Sequence, residues 1–505
     1  MSPSHSANVY ELFLEQVARR PDKAAVRGGE SERSYAELAH RVDQVACFLT
    51  ECGVGLGDRV AVLSENRVEY LELVLACARI GAVAACANWR LASAELEHCL
   101  KLVAPKLLIH SSKYAQLADS VRHAVERHLE LDEAFEAALE TGVQPSAPPS
   151  SVDWEAPLLL LYTSGTTGLP KAATLSHRAL VARRVLLQLD LGIDAEDVFV
   201  AWAPMFHMGG LEHSLSTLMM GGIVEVVDGF DAREIVGVLE RERVGWLLLM
   251  PGVIDRFLEA AAASGPFRGV KLVGGLADLL PRKAIAEVME CTGAAFFNGL
   301  GATETGIAPL SGNVIPSPAH IDLAKRPSSL TLLRVVDEYG REVAPGEVGE
   351  ILVKGPTLFS GYWNDPEANL ESFREGWFRM GDLVRKNDDG TFSFVGRAKY
   401  LIKSGGENIY PAEIEKILLE HPAVLDAIVV KKRDAYWGEV PVAVVAVEGD
   451  VTQGEIDALF EGRLARYKRP KRLFFVDYQQ LPRSLSGKVV RTEMEAWVEK
   501  WEASA

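Results

Sequence analysis

With 505 residues the chain is too long for one ordinary core, so two or more domains are expected. A composition of 48% hydrophobic and 24% charged residues is that of a soluble globular protein, and a net charge of −17 without a basic stripe argues against a nucleic-acid binder. On that background an anionic ligand would need local cations or a metal ion beside it.

The start, "MSPSHSANVYELFLEQVARRPDK", has no apolar core of signal-peptide length. The most apolar run, Leu71 to Ala87, is broken by Glu72 and Arg79 and predicts no transmembrane segment. Cys47, Cys52, Cys77, Cys86, Cys99 and Cys291 form no CxxC pair and read as small core residues in a reducing compartment, so a cytoplasmic location is expected. Apolar spacing predicts helices over 10–22 and 35–52. A buried strand from Arg59 ("RVAVLS") and a helix–Gly81–strand pattern follow, which suggests parallel α/β architecture. Residues 144–157 are rich in proline and serine and read as a linker. "LLLLY" then predicts a central strand, and "GIVEVVD", "GWLLLMPG" and "VKLVGG" continue the α/β pattern. After residue 330 the alternation of apolar and polar residues predicts antiparallel strands. A boundary is expected near Arg397–Lys399, before about a hundred residues of mixed helix and strand.

Directly after "LLLLY" comes "TSGTTGLPK". Gly165 and Gly168 allow close backbone approach, and Thr163, Ser164, Thr166, Thr167 and Lys171 could donate to phosphate oxygens. The stretch is neither a Walker loop nor a dinucleotide fingerprint. Taken alone it could also be a strand-to-helix turn of small residues.

The loop resembles the signature of the acyl-adenylate-forming superfamily. "PMFHMGG" (204–210), "GATETG" (301–306), "GEILVKGPTLFSGYWNDPE" (349–367), "EGWFRMGDL" (375–383), "GRAKYLIKSGGENIYPAEIE" (396–415), "LARYKRPKRLFFVD" (464–477) and "LPRSLSGKVVR" (481–491) follow in the family's order. The resemblance implies a large N-terminal domain, 1–397, of parallel α/β subdomains plus a β-rich subdomain. It implies a small α+β C-terminal domain, 398–505, that moves and carries the catalytic lysine. It also implies an ATP-dependent acyl-CoA ligase: a carboxylate attacks the α-phosphorus of ATP, and the acyl-adenylate then passes to coenzyme A. An enzyme that loads a carrier-protein pantetheine and a non-catalytic nucleotide or acyl binder are the alternatives. The implied partners are a carboxylic acid, coenzyme A, ATP and Mg²⁺, and a homodimer is compatible with the sequence.

By the same resemblance, Thr163, Ser164, Gly165, Thr166, Thr167, Gly168 and Lys171 embrace the β- and γ-phosphates. Glu304 and Thr163 hold Mg²⁺, and Thr303 touches the α-phosphate. Gly275, Asn298, Gly299 and Leu300 border the nucleotide. Asp382 accepts from the ribose diol, with Arg397 beside it. Lys488 bridges carboxylate and α-phosphate, as a compact cation with three donors can. Lys399 is the hinge of a domain rotation that brings Gly405, Gly406 and Glu407 to the thiol path. Arg90, Trp437, Tyr467 and Arg469 are candidates for the coenzyme A nucleotide. His207 could orient the substrate carboxylate or simply pack.

Departures from the family pattern cluster near adenine and acid. Leu300 stands where a tyrosine is usual, Met380 replaces the threonine before Gly381-Asp382, hairpin 274–281 is two residues longer, and 311–327 matches poorly. Segments 201–210 and 245–254 are expected to line the acid pocket with Trp202, Met205, Phe206, Met208, Trp246, Leu249 and Met250. They offer no cation for a second carboxylate, so an apolar aromatic, alicyclic or medium-chain monocarboxylate is expected. Glu212 could overturn this by pairing with a substrate amine.

Overall fold

The computed structural model describes residues 7–29, 31–141, 152–164, 169–275, 277–405, 407–483 and 489–503. Two sheets dominate the first two-thirds. One is ordered His128–Glu130, Leu107–His110, Arg59–Leu63, Val83–Cys86, Pro157–Ser164, Pro170–Ser176, parallel except for the last strand. The four inner strands are near-continuous apolar runs because helices cover both faces. The helix Val68–Ile80 is buried on almost every side, as a helix apolar all round must be, and it helps fill the core shared by the two sheets.

The second sheet is ordered Val314–Ile315, Ala295–Phe297, Val270–Val273, Val244–Leu247, Val198–Ala201, Ile223–Val226, Ala24–Gly28, Ser31–Ser34, with antiparallel strands only at its edges. Val198–Ala201 lies between its two successors, so the chain order reverses beside it. A crevice at the carboxyl ends of such strands is where open α/β sheets bind ligands. Capping boxes at Asn8 and Ser34 start the first two helices at Val9 and Tyr35. The first stops at Arg19, shorter than expected, because Pro21 disfavours helix at Arg20.

An antiparallel sheet follows, Leu332–Val336, Val348–Lys354, Trp377–Lys386 and Phe373–Arg374, with Phe392–Arg397 paired to the long third strand. A last sheet, from Ile402–Ser404 to Arg472–Val476, has a separate core on each face. The helices Pro411–Leu418 and Gln453–Leu459 cover one face and Arg491–Ala503 the other.

Two expectations change. "LLLLY" extends to Pro157–Ser164 and returns as the antiparallel strand Pro170–Ser176, so the loop closes a hairpin, not a strand-to-helix turn. Of "GWLLLMPG" only the stretch to Leu247 stays in the sheet; the Leu248 carbonyl instead accepts from Trp202 Nε1 at 2.8 Å. Most of the expected linker, up to residue 151, lies outside the described residues. All six cysteines are free, and among the described residues no helix is long and apolar enough to cross a membrane.

Candidate active site

The hairpin places Thr163 directly opposite Lys171. Gly165, Thr166, Thr167 and Gly168, and the side chain of Ser164, lie outside the described residues. Segment 361–363 runs along the second hairpin strand, bonded from Thr174 N–H to the Gly361 carbonyl (2.9 Å) and from Trp363 N–H to the Ala172 carbonyl (2.8 Å). This sets the Lys171 ammonium 5.3 Å from the Tyr362 ring centroid. The Tyr362 hydroxyl in turn donates to Glu304 Oε1 at 2.7 Å. Burial, and then the Glu304 charge, push its pKa well up, so it stays a donor. A cation, a phenol and a carboxylate thus meet in one place.

Thr303 and Glu304 sit at the turn between Leu300–Ala302 and Gly306–Leu310. Behind it lies Arg183, 1% exposed, from the helix His177–Leu191. Its guanidinium donates to the carbonyls of Thr303 (3.1 Å) and Thr357 (2.8 Å) and pairs with Glu212 at 2.6 Å. Gly306, at φ +73°, passes so close that a Cβ there would lie 2.7 Å from Arg183 Cδ. Phe359 N–H donates to the Glu304 carbonyl at 2.8 Å. The turn is therefore fixed from both sides. Glu212 is buried, 1% exposed, with Oε2 paired to Arg183, which argues against its binding a substrate amine.

At the carboxyl ends of Val270–Val273 and Ala295–Phe297, Gly299 N–H donates to the Gly275 carbonyl at 3.1 Å, and Trp246 Nε1 to the Gly274 carbonyl at 2.8 Å. Asn298, 2% exposed, donates through Nδ2 to the Leu323 carbonyl at 3.1 Å. A carbonyl can only accept, so the amide nitrogen must face it. Asn298 Oδ1 is left buried with no hydrogen-bond partner among the described residues. An orphaned acceptor of this kind fits an incoming N–H donor, such as an adenine amino group. Leu300 joins the hydrophobic core, so no aromatic face borders this position from that residue.

On the acid side, His207 caps the helix Met208–Met220, its Nδ1 accepting the Gly209 N–H at 3.1 Å. An accepting Nδ1 places the proton of the neutral ring on Nε2. Asn66 ties this segment to the first sheet: Nδ2 donates to the carbonyls of Ala201, Ala203 and Val227, and Oδ1 accepts from Met205 N–H. Trp202, Met205, Phe206, Trp246 and Leu249 are all buried in packed cores, whereas Met208 and Met250 keep accessible surface. Much of the run expected to line a pocket is core.

Asp382 and Arg397 face each other across paired strands, with Nε to Oδ1 at 2.8 Å. Asp382 is fully buried, unlike a member of a surface salt bridge. Lys399 lies in the short turn Ala398–Tyr400 between the last two sheets, its ammonium 4.9 Å from the Tyr400 ring centroid. Gly405 stands at φ +58°; its N–H donates to the Trp437 carbonyl at 2.8 Å, and a Cβ would meet the Trp437 ring at 2.5 Å. Gly406 and Lys488 lie outside the described residues, the latter between Arg483 and Val489, which pair. Glu407, Trp437 and Tyr467 are exposed. Arg469 donates to the carbonyls of Phe460 (3.1 Å) and Leu464 (3.4 Å), which spends part of its fork on its own domain. Arg90 sits over Trp89 at 4.5 Å and near Phe206 at 5.6 Å, beside the acid segment.

Among the described residues no group of three or more His, Cys, Asp or Glu could hold a metal ion. A Mg²⁺ here would take one protein carboxylate, Glu304, and complete its shell with phosphate oxygens and water, as Mg²⁺ at nucleotides does.

Sequence reasoning does not single out Arg183, Tyr362 or Asn66. Tyr362 lies inside the motif 349–367 but carries no role there. Asn66, a polar residue just past a buried strand, is a weaker signal, and Arg183 has none.

Comparison with known proteins identifies the family. The AMP-binding enzyme family matches residues 13–363, and the AMP-binding enzyme C-terminal domain matches residues 413–488. Indoleacetate–CoA ligase of Aromatoleum aromaticum is 36% identical, over 95% of this chain and 96% of its own length. Feruloyl-CoA synthase of an Amycolatopsis species is 39% identical, over 94% and 96%. The structure of o-succinylbenzoate CoA synthetase from Bacillus subtilis with its acyl-adenylate intermediate superposes with a TM-score of 0.84, at 28% identity, over 97% of this chain and 98% of that one. The chain belongs to the AMP-binding enzyme family.

Proposed function

We propose that this protein is an acid–thiol ligase that joins an apolar, aromatic carboxylic acid to coenzyme A through an acyl-adenylate, with ATP as the co-substrate. The observation that carries the reading is the meeting of Lys171, Tyr362 and the braced Thr303–Glu304 turn, with the orphaned acceptor of Asn298 five residues before Thr303, in a chain whose relatives named above, matched over at least 94% of it, are CoA ligases.

In the first half-reaction a carboxylate oxygen attacks the α-phosphorus of ATP, forming the acyl–phosphate bond as the bond to pyrophosphate breaks. Two anions must be brought together, so charge has to be offset and the groups aligned in advance. Lys171 and the hairpin loop receive the β- and γ-phosphates, Thr303 the α-phosphate, and Lys488 bridges the two reactants. Mg²⁺ held at Glu304 would neutralise phosphate charge. In the second half-reaction the coenzyme A sulfur attacks the acyl carbon, its proton passes to solvent, and AMP leaves. That step uses a rearranged site: the unit 398–505 turns about Lys399 against 1–397 and delivers the Gly405–Glu407 loop. Arg90, Trp437 and Tyr467 supply cationic and aromatic contacts for the coenzyme A nucleotide. The free cysteines fit a reducing cytoplasm.

The test is pyrophosphate release over a panel of benzoate, indoleacetate, ferulate, cyclohexanecarboxylate, octanoate, malonate and an amino acid, each with and without coenzyme A. An aromatic acid should give the highest kcat/KM and a CoA thioester as product. Preference for malonate or the amino acid would sink the apolar-acid assignment. Adenylate formation without transfer to free coenzyme A would shift the acceptor to a carrier pantetheine.

A further inference from the structure

Two stretches that depart from the family pattern, the lengthened hairpin 274–281 and the segment 311–327, meet inside the molecule. Lys325 is completely buried, and its ammonium pairs with Asp278 of the hairpin. The same ammonium donates to the Leu323 carbonyl at 3.2 Å, and that carbonyl also accepts from Asn298 Nδ2 at 3.1 Å. Lys325 is further held by two backbone bonds of 2.8 Å with Phe392, the first residue of the strand that ends at Arg397. Arg282, just past the hairpin, donates to the Ile321 carbonyl and ties the segment to the hairpin side a second time.

From this arrangement we propose that Asp278 and Lys325 are positioning residues for the nucleobase: the pair fixes the Leu323 carbonyl, which holds the Asn298 amide so that Oδ1 faces the nucleotide as an acceptor. The inference rests on the reading of this crevice as an ATP site. A charge buried as deeply as Lys325 is costly to keep without its partner, so hairpin and segment are locked in one relative placement. One carbonyl then receives two donors, and Asn298 cannot turn without leaving that carbonyl. The amide therefore presents a fixed acceptor. Adenine offers an amino group at that edge. Hypoxanthine offers a carbonyl there, which would meet Oδ1 as acceptor against acceptor. Leu300 packs into the core and supplies no ring against the base, so hydrogen-bond orientation carries more of the base selection in this chain.

The experiment uses the full-length chain and measures ATP and ITP binding by calorimetry. Wild type should favour ATP by about tenfold, the size of one well-made hydrogen bond. Asp278→Asn and Lys325→Met should each bring the ATP-to-ITP ratio close to unity and raise the KM for ATP, with the KM for the acid unchanged. The double variant should be no worse than the worse single one, because both cut the same brace. Asp278 is partly exposed and its asparagine is isosteric, so Asp278→Asn alone decides if Lys325→Met does not fold. A ratio in Asp278→Asn within about twofold of wild type, even with a lowered melting temperature, would reduce the pair to a stability contact and overturn the proposal. Wild-type pyrophosphate release is scored separately: its absence with every acid would remove the ligase reading, whereas normal release with unchanged base selectivity removes only the brace.

Discussion

The Thr303–Glu304 turn and the Gly405 loop are both expected to touch ligand, yet they are held in opposite ways. Behind the turn lies a fully buried ion pair, Arg183–Glu212, whose arginine also bonds the Thr303 and Thr357 carbonyls, and Tyr362 grips Glu304 from the other side. The Gly405 loop leans on Trp437, itself 45% exposed, through a backbone bond, with the ring so near that an added Cβ would clash with it. Groups that stabilise developing charge must not reorganise during the reaction, and buried networks lock them. A loop that has to arrive and leave gains nothing from such a lock, because low local stability is what lets it move.

Cutting the lock should produce the largest effect. Arg183→Met leaves Glu212 as a buried, unpaired carboxylate and should lower unfolding stability by about 3–5 kcal/mol in urea titrations, whereas Arg183→Met with Glu212→Leu should recover most of it. The matching cut on the thiol side, Tyr467→Ala at a residue 43% exposed, should stay within about 0.5 kcal/mol. Equal losses at both places would erase the contrast.

Chemistry separates the two sides next. Lys488→Ala should lose on the order of 10²–10³ in acid-dependent pyrophosphate release and still convert supplied acyl-adenylate to thioester. Lys399→Pro should show the converse pattern, because a locked φ removes the freedom a hinge needs, while adenylation stays near wild type. Parallel loss of both half-reactions in either variant would refute the division of labour.

Acid should unsettle the N-terminal side first. Burial pushes His213, packed against Phe199 and Trp246, down to about 3, and His177, which accepts the Val9 N–H, down to about 4. Unfolded histidine protonates near pH 6.5, so between that value and about pH 4 the unfolded chain binds more protons than the folded one. Stability should therefore fall as pH drops from about 6.5, by about 2 kcal/mol for each histidine at pH 5, and the loss should level off below about pH 4 for His177 and about pH 3 for His213. Urea midpoints at pH 7 and pH 5 for wild type and His213→Asn check this; an unchanged pH slope in the variant would exclude His213 as a source.

Gly405→Ala should give the smallest change in rate. A positive φ costs a non-glycine residue about 1 kcal/mol, and the added methyl meets the Trp437 ring. Thioester formation should slow about tenfold while pyrophosphate release from the first step is unaltered. A defect in the first step would place this loop on the nucleotide side as well.

Candidate site residues that lie in local runs are legible in the sequence. Lys171 follows a glycine-rich loop, Thr303-Glu304 sits in a six-residue motif, and Asp382 and Arg397 each lie in a recognisable stretch. Apolar content misleads where it serves two purposes: Met205, Trp246 and Leu249 look like the wall of an acid pocket, but they complete cores under the site. Glu212 looks like a candidate for a substrate amine because its partner is 29 residues earlier on another helix. Tyr362 has no role that its motif alone reveals, since only the backbone pairing of 361–363 with the hairpin strand brings it between Lys171 and Glu304.

The sequence by itself determined the α/β class, through hydrophobic periodicity, and the reaction class, through an ordered set of motifs, because both are written in residues close together along the chain. Only the tertiary structure decided which buried charges pair, Arg183 with Glu212 and Lys325 with Asp278, and that the buried amide oxygen of Asn298 is left without a hydrogen-bond partner among the described residues. The physical reason is that a buried charge or polar group is tolerable only with a partner, and that partner is fixed by packing in space, wherever in the chain it comes from.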